Sequence, residues 1–518
     1  MTIDLNSGDL NSGDLNTDSL NTDSLNIANL PPNIDQFGLK ITVENKQNTL
    51  LQAFNLFLAL LLTTQSNGDE SPVIDDFMLT VLIADIDKKI KLQIDEILHH
   101  PHFQSLESSW RGLDLLVKQT KFKENIKIEL LNLSQDDLLD DLEDASEVVK
   151  TGLYKLVYSQ EYGQFGGEPY GVMIANYHLT PKSPDIRLMQ KMASIGAMAH
   201  TPFIAAAHNE FFDIDSMQDL ASIVDLNDVY ESPKFSKWKR FRTAEDARYI
   251  GLVLPRFLLR RPYHSDTEKL MSLGIDYSEN VSNNHEHSLW GNPVFLFVIR
   301  LAESFAKYRW CPHIIGPASG GLVEELTHDF YDAMGQIETK LATEVMVTDR
   351  REYELTEEGF IALTLRRGKE NASFYSANSV QSSQYFGNNR EDKEAYTNFK
   401  LGIQLPYLFI INRIAHYLKV IQRENIGSWK EQADVERGLN QWIKQYVSDQ
   451  ENPSIEIRSR RPLRKAKIEV RPVEGEPGWY RASVLVRPHF KYMGADFTLS
   501  LVGKLEVSKD AQQHRQQV

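Results

Sequence analysis

The sequence predicts an α/β protein with mixed, largely parallel sheets flanked by helices, and a distinct β-segment at the C-terminus. Short apolar segments alternate with segments of helical periodicity, which is typical of strand–helix–strand units. These apolar segments contain few polar residues, so both faces of the sheet are expected to be covered. Beyond residue 453 the chain becomes basic, and two later segments alternate apolar and polar residues with the period of a strand.

Short apolar segments are the predicted strands of the body. The stretch Phe241–Tyr263 is the clearest case, because its apolar run stops at Pro255 and a second run, Phe257–Leu259, follows. Apolar runs of this length bounded by proline are typical of buried strands. The predicted strands are Ile126–Leu133, Tyr170–Tyr177, Phe203–Ala207, Tyr249–Leu254, Phe360–Leu365 and Ala372–Ser376.

Apolar residues spaced three and four apart predict the helices. A first helix begins near Phe77 and ends at the histidines before Pro101. A second helix follows, and its apolar residues fall on one face: Leu106, Trp110, Leu113 and Val117. The further predicted helices are Asp136–Tyr158, Asp185–His200, Val294–Tyr308, one from Pro406 to Gly427, and one through Val435, Leu439, Trp442 and Tyr446.

The N-terminus has its own composition. A leucine recurs every five residues from Leu5 to Leu30, a period that matches neither a helix nor a strand. We therefore expect residues 1–32 to be a disordered tail, followed by a helical region at 33–120, the α/β body at 121–400 and a C-terminal region at 401–518. The apolar run Leu50–Leu62 would span about 20 Å as a helix, against about 30 Å of bilayer hydrocarbon, so it predicts a buried helix.

Charge and cysteine content exclude several classes of protein. The net charge of −16 argues against nucleic-acid binding by a globally basic surface. Cys311 is the single cysteine, so an internal disulfide is impossible and a reducing compartment is favoured. The first residues are acidic and polar, unlike a signal peptide.

Two blocks of mixed charge are candidate ion-pair networks, either in the core or between subunits. Acids and arginines three and four residues apart pair readily on helices, and arginine binds carboxylates in two-pronged fashion. The first block contains Arg242, Glu245, Asp246 and Arg248. The second contains Asp349, Arg350, Arg351 and Glu352.

Other motifs that suggest chemistry are weak. The histidines around Pro101 lack the companions of a zinc motif. The glycine-rich loop Gly316–Gly321, predicted to precede a helix, lacks the lysine of a phosphate-binding loop and is followed by Glu324. We therefore expect no metal, cofactor or catalytic residue.

The C-terminal segment predicts an interaction surface. Pro453–Arg471 is basic and includes Arg464 and Lys465. Two alternating strands follow, at Trp479–Pro488 and Phe497–Val507, with these residues predicted for pairing between subunits: Tyr480, Ala482, Val484, Val486, Phe497, Leu499 and Leu501. Strand exchange with an acidic neighbour explains both the charge and the strands.

Several long stretches resemble one family, the large sheath subunit of bacterial type VI secretion systems (TssC/VipB-like proteins). They occur in family order and cover the chain from about Ile94 to Val507. The N-terminal repeat does not resemble the usual start of the family. The matching stretches are Ile94–Val117, His200–Ala207, Phe241–Tyr263, His285–Leu326, Thr343–Leu355, Leu405–Ser428 and Arg461–Val470.

The resemblance implies a structural role in the bacterial cytoplasm. The chain would pair with a small TssB/VipA-like subunit through region 33–120, stack helically with further copies around an Hcp-like inner tube on a baseplate, and contract like a phage tail sheath. Its C-terminal strands, at Tyr480–Arg487 and Phe497–Val502, would form the middle of a shared sheet that strands from the small subunits of neighbouring pairs complete. An AAA+ unfoldase, ClpV-like or other, would recycle the contracted sheath. No enzymatic activity, nucleic acid or membrane insertion is implied.

Two alternatives remain at this point. An α/β enzyme would use Glu344, Asp349 or Glu352 with a histidine, and would require a concave site with perturbed titratable groups. A nucleic-acid scaffold would bind through Arg458–Arg471, with a steep salt dependence.

Overall fold

The computed structural model describes residues 76–489 with internal gaps. The gaps are 165, 265–276, 282–283, 334–335, 367–370, 384–395, 397–398, 425–430, 451–452 and 473–479. The N-terminal repeat, Leu50–Leu62 and Phe497–Val507 lie outside the described residues. The chain divides into two compact units, Met1–Asp95 and Glu96–Val518, and each is described by itself.

The helices of the described residues follow the predicted periodicity closely. Between Asp144 and Met173 a further helical segment consists of Gly152–Tyr154, a π-helical turn at Lys155–Gln160, and Glu161–Gly163. The helices are α1 (Asp76–Leu98), α2 (Pro101–Gln119), α3 (Gln135–Asp144), α4 (Ser183–Ala199), α5 (Leu226–Glu231), α6 (Ser236–Arg242), α7 (Val294–Tyr308), α8 (Asp349–Glu357), α9 (Leu405–Glu424), α10 (Gln432–Lys444) and α11 (Ile455–Arg460).

A six-stranded sheet forms the centre of the second unit, with strand order β1-β2-β3-β9-β10-β6. The first four strands in this order are parallel, and β10 and β6 continue the sheet in antiparallel fashion. The predicted mixed, largely parallel sheet is therefore correct. The strands are β1 (Met173–Leu179), β2 (Phe203–Ala207), β3 (Ile250–Leu254), β6 (Leu322–Val323), β9 (Phe360–Leu365) and β10 (Ala372–Phe374).

The sheet is covered on both faces, as its apolar strands require. Along β2, Phe203 and Ala205 belong to one apolar core, while Ile204 and Ala206 belong to the other. Alternation places successive side chains on opposite faces of a strand. The first core contains α4 and the aromatic residues Phe211, Trp238 and Phe360, and the second contains α7 with Phe257, Phe297 and Phe374.

Two short antiparallel pairs accompany this sheet. Strand β4 (Phe257–Leu258) pairs with β5 (Trp290–Gly291), and β7 (Phe330–Ala333) pairs with β8 (Gln336–Thr339). The second apolar run of the stretch Phe241–Tyr263 is thus a strand of its own, after the cis peptide bond between Leu254 and Pro255.

A third apolar core lies in the C-terminal region. It joins α9 and α10 to an antiparallel hairpin of β11 (Leu463–Pro472) and β12 (Tyr480–Pro488). Ile414 of α9, Ile443 of α10 and Ile468 of β11 are among its buried residues. This hairpin is a two-stranded sheet separate from the central one.

Three predicted elements are wrong. Ile126–Leu133 forms no strand, because the segment is extended without a neighbouring strand to pair with in the described chain. The predicted helix Asp136–Tyr158 ends at Asp144. The glycine loop Gly316–Gly321 is followed by strand β6 and not by a helix.

Candidate assembly surfaces

Helix α2 contacts the body through one narrow face. Gly112 lies so close to α7 that a Cβ atom there would be 2.4 Å from the Phe295 ring. Leu116, one turn later, is 1% exposed and belongs to the same apolar core as Phe295. These close contacts fix which side of α2 faces the apolar core, since residues four apart share one side of a helix.

The predicted apolar face of α2 lies on the opposite side and faces solvent. Of the four predicted residues, Leu106, Trp110 and Val117 expose 57%, 61% and 43% of their surface, whereas Leu113 is half-buried. Phe103, which was not predicted, extends the exposed stripe with 39% of its surface exposed. The sequence therefore identified the stripe, and the structure shows that it is not part of the core. An exposed apolar stripe of this kind marks an interaction surface.

A buried polar cluster holds the start of α2 in place. The Arg260 guanidinium donates to Glu107 of α2 at 3.0 Å and to both carboxylate oxygens of Glu279 at 2.6 and 3.1 Å. His99 Nε2 lies 3.4 Å from the same Glu279 carboxylate, and its ring stacks on His287 at 3.9 Å. Burial alone would lower the pKa of Arg260, but the hydrogen bonds and charges of the two glutamates outweigh it and raise that pKa.

A second cluster contains Glu344, one of the acids considered for catalysis. Arg256 binds Glu344 through its guanidinium and its backbone N–H, and also binds Glu286. His285 Nε2 lies 3.5 Å from the Glu344 carboxylate. Burial would raise the pKa of Glu344, but the hydrogen bonds and charges of His285 and Arg256 lower it to about 2. Glu344 is thus paired with an arginine and ionised near neutral pH, whereas the pKa of an efficient general acid or base lies near the working pH.

The first predicted charge block is divided by the fold. Arg242 is buried and binds the Glu358 carboxylate, while its other N–H groups donate to the carbonyl oxygens of Glu357 and Val380 at 2.9 and 3.0 Å. Its partners are therefore remote in sequence. Arg248 pairs with exposed Glu245 at 3.5 Å.

The remaining acid of this block, Asp246, lies against α4. Its carboxylate accepts a hydrogen bond from Ser194 Oγ at 3.4 Å. The block thus contributes to three different contacts within the chain.

The second charge block forms helix α8. Arg350 and Arg351 both bind Glu354, at 2.8 and 2.6 Å, and Asp349 lies in the first turn of the helix, where a negative charge is favourable. Glu352 accepts hydrogen bonds from Ser376 and from Thr356. These contacts, too, are made within the chain.

The C-terminal hairpin gives the predicted strand β12 a partner within the chain. The alternating residues Ala482, Val484 and Val486 are half-buried against the third core. Tyr480 begins the strand opposite Pro472. The partner strand, β11, was missed by sequence reasoning because its apolar residues alternate with lysine, arginine and glutamate.

The two edges of this hairpin differ. Side chains of α10 satisfy the outer edge of β11: Asn440 binds both the N–H and the C=O of Ile468, at 3.0 and 2.7 Å, while Glu436 and Gln432 bind those of Val470, at 3.2 and 2.7 Å. An edge covered in this way cannot accept another strand. In the described part of the chain the hairpin sheet has two strands, so the outer edge of β12 has no neighbouring strand there.

The register shows which backbone groups face the open edge. Ile468 and Val470 direct their backbone groups to α10, and they are paired with Val484 and Ala482. In an antiparallel pair, two residues opposite each other direct their backbone N–H and C=O groups either both towards the partner strand or both away from it. The N–H and C=O groups of Val484 and Ala482 therefore face away from β11, towards the open edge.

The face of the hairpin that points away from the core is strongly basic. Lys467 and Arg471 share the carboxylate of Glu469, at 2.7 and 3.4 Å. Arg464, predicted with Lys465 as a contact, is exposed next to this face. The basic face consists of Lys465, Lys467, Glu469, Arg471, Arg481, Ser483, Leu485 and Arg487.

Comparison with known families identifies the class of protein. A family model described as the EvpB/VC_A0108 tail sheath N-terminal domain (VipB) matches residues 80–381. A second model, the EvpB/VC_A0108 tail sheath gpW/gp25-like domain, matches residues 394–505. The chain therefore belongs to the VipB family of contractile tail sheath proteins.

Similarity to one relative agrees with this family assignment. The chain is 38% identical over 434 residues to the type VI secretion system sheath protein TssC1 of Pseudomonas aeruginosa, covering 83% of this chain and 86% of the relative. A solved structure, the baseplate of the anti-feeding prophage, matches 73% of this chain and 83% of its own with 9% identity. Its TM-score of 0.37 is too low to support a conclusion.

The described residues contain neither a membrane-spanning helix nor a metal-binding cluster. No helix there is long and apolar enough to cross a membrane. No group of three or more histidine, cysteine, aspartate or glutamate side chains in this part of the chain is arranged to hold a metal ion.

Proposed function

We propose that this chain is the large structural subunit of the contractile sheath of a bacterial type VI secretion system. It forms a heterodimer with a small TssB/VipA-like subunit and polymerises helically around an Hcp-like inner tube on a baseplate in the cytoplasm. Contraction propels the tube and its effectors into a target cell, and an AAA+ unfoldase recycles the sheath. Membership of the VipB family supports this proposal.

The open edge of β12 is the observation that best supports the proposed polymerisation. Since α10 covers the edge of β11, an incoming strand can pair with the described part of this hairpin at the edge of β12. Backbone hydrogen bonds to Ala482 and Val484 supply affinity that is independent of side-chain identity. Strand pairing of this kind persists while two subunits change their relative orientation. Contraction requires such a change of orientation.

The exposed face of α2 is the proposed contact for the small subunit. Its apolar residues lie in a row bordered on one side by the charged residues Glu107, Arg111, Asp114 and Lys118, which form ion pairs four apart along the same helix. An apolar row bordered by charged residues fits an amphipathic helix of the partner. The narrow contact at Gly112 and the Arg260 cluster keep this face presented outward.

We propose no enzymatic activity. Glu344 is held by Arg256, and Glu352 by hydroxyl groups, so each carboxylate is already occupied. Two cavities of about 550 and 580 Å³ lie instead in the C-terminal region, around Ser448–Gln450 with Arg460, and along α10. Neither is lined by the acids considered for catalysis.

Electron microscopy of the chain with and without its small partner tests the proposal. Co-expression is expected to give long tubes, whereas the chain alone gives none. Discrete soluble particles under both conditions would contradict the sheath function.

Val484→Pro tests the open edge within the same experiment. Proline removes one N–H that faces the open edge, so we expect tubes to be lost while the heterodimer still purifies. Val484→Ala, which keeps the N–H but shortens the side chain, is the matched control and should form tubes. Normal tubes from Val484→Pro would refute the strand-sharing role of this edge.

A further inference from the structure

Residues 126–132 have the composition of a strand but no neighbouring strand in the described part of the chain. They contain no helix or turn, and none of their backbone N–H or C=O groups bonds to another backbone group among the described residues. Unpaired backbone groups of this kind are a template for a strand from another chain. The segment is therefore a candidate site for strand pairing.

The segment lies beside β1, the end strand of the central sheet in the described part of the chain. Tyr170, just before β1, donates to the Glu129 carboxylate. Further along, the Tyr177 hydroxyl donates to the carbonyl oxygen of Leu133 at 2.7 Å. These contacts advance in the same direction along both stretches, so the segment runs roughly parallel to β1. The two are joined by tyrosine side chains and not by the ladder of a paired strand.

One side of the segment is already held by the body. Ile126 and Ile128 are half-buried, whereas Lys127 and Glu129 are exposed, which is the alternation of a strand. Ile128 packs against the second apolar core together with Ile174 of β1. The segment is therefore positioned as a strand before any neighbour binds to it.

Two leucines of the segment remain in solvent. Leu130 and Leu131 expose 70% and 53% of their surface, respectively. Consecutive residues of a strand point to opposite faces, so both faces are uncovered at this point. Exposed apolar side chains next to unpaired backbone groups are the features that an added strand covers.

The face of α2 that is the proposed contact for the small subunit adjoins this segment. Asn176 of β1 donates to Ser109 Oγ of α2 at 2.8 Å. Leu115 of α2 packs against the same core as Ile128. A partner bound to the exposed face of α2 is therefore within reach of residues 126–132.

We propose that the small subunit contributes a strand that pairs with residues 126–132 and joins the two chains by backbone hydrogen bonds. This inference rests on the proposed sheath function and adds a second contact to the one at α2. Ile126–Leu133 then becomes the strand that its sequence predicts, because the partner supplies the missing neighbour. The backbone bonds provide affinity, and the exposed leucines favour apolar side chains on the incoming strand.

Hydrogen exchange of backbone amides tests the pairing in the free chain, in the heterodimer left in solution after tubes are sedimented, and in the tubes. Amides of residues 126–132 should exchange about a hundredfold or more slowly in the heterodimer than in the free chain, because opening of a paired strand limits exchange. Fast exchange in both states would overturn the pairing.

The same measurement identifies any other occupant. Slow exchange already in the free chain would assign the neighbouring strand to another part of this chain. Slowing that appears only in the tubes would assign it to a second heterodimer. Either result would overturn the small subunit of the same pair as the source of the strand.

Two neighbouring proline substitutions form a matched pair of variants. Alternate residues of a paired strand direct their backbone groups to the same edge, so only one of Leu130→Pro and Leu131→Pro removes an N–H that faces the incoming strand. That variant should lower co-purification of the small subunit about tenfold or more, and the other less than about threefold. Equal losses from both, or no loss from either, would overturn strand pairing.

Electron microscopy of the original heterodimer keeps this inference separate from the proposed function. Slow exchange together with normal tubes supports both. Fast exchange with normal tubes would overturn the added strand and leave the sheath function standing. Slow exchange without tubes would support the contact and contradict the sheath function.

Discussion

Three buried or half-buried arginines, Arg242, Arg256 and Arg260, connect segments that are remote in sequence. Each binds at least one carboxylate from another element. Breaking a buried ion pair by removing one partner leaves the other charge without compensation. These residues are therefore expected to matter far more for stability than the more numerous exposed pairs.

Arg242→Met should lower the free energy of unfolding by about 3–5 kcal/mol, because Glu358 and two carbonyl oxygens lose their donor. Urea unfolding of the purified protein measures the change. Arg248→Met, which breaks the pair with 86%-exposed Glu245, is the matched control and should cost less than about 1 kcal/mol. Equal effects of the two substitutions would contradict the assigned role of Arg242.

Glu344 makes stability depend on acid pH. Its pKa in the folded chain, about 2, lies below the ordinary value of 4.5. The unfolded chain therefore binds more protons below pH 4.5, and the stability contributed by Glu344 is present above that pH and is lost as the pH falls towards 2. Glu344→Gln should be less stable than the original protein at pH 6, and the difference should narrow by pH 3.

Urea midpoints at half-unit intervals between pH 6 and pH 3 measure this difference. A constant gap across the range would mean that the carboxylate charge contributes nothing to stability.

At the scale of single elements, helix α2 carries an apolar stripe that the sequence identified. The sequence could not tell whether this stripe faces the core or the solvent. Spacing identifies which residues share a face, and the tertiary contacts at Gly112 and Leu116 decide that this face points outward. The signal in the sequence is the small Gly112 on the opposite side of the helix, where α7 approaches closely.

Trp110→Asp should weaken binding of the small subunit by about tenfold or more while leaving the fold intact, because exposed aromatic residues at protein contacts contribute about 2 kcal/mol or more. Co-purification with an affinity-tagged small subunit and thermal unfolding of the free chain measure the two effects. Leu116→Ala, on the buried side, should instead lower stability by about 2–5 kcal/mol. Undiminished co-purification of Trp110→Asp would exclude this face as the contact.

Strands divide into those that sequence predicts well and those that depend on a partner. Phe203–Ala207 and Phe360–Leu365 lie where predicted, since uninterrupted apolar runs have no stable place outside a covered sheet. Ile126–Leu133 has a strand-like composition but lacks a paired neighbour in the described chain. Conversely, β11 is a strand despite its charges, because α10 and β12 satisfy its backbone on both sides.

At the scale of the whole molecule, the second unit combines an enclosed central sheet with surfaces that the described residues do not cover. The central sheet is enclosed by two apolar cores, whereas the face of α2, the edge of β12 and the basic face of the hairpin remain accessible. A subunit whose core is fully covered, but whose surface includes uncovered apolar faces and strand edges, is suited to assembly. This arrangement agrees with membership of a sheath family.

The sequence by itself determined the α/β class, the main strands and helices, and the family, because apolar periodicity is local and long matching stretches are specific. The tertiary structure alone decided that Arg242 binds Glu358, that the apolar face of α2 points to solvent, and that one edge of the hairpin is closed. The physical reason is the same in each case: side-chain spacing fixes which groups share a face, but only the packing of remote segments decides what that face meets.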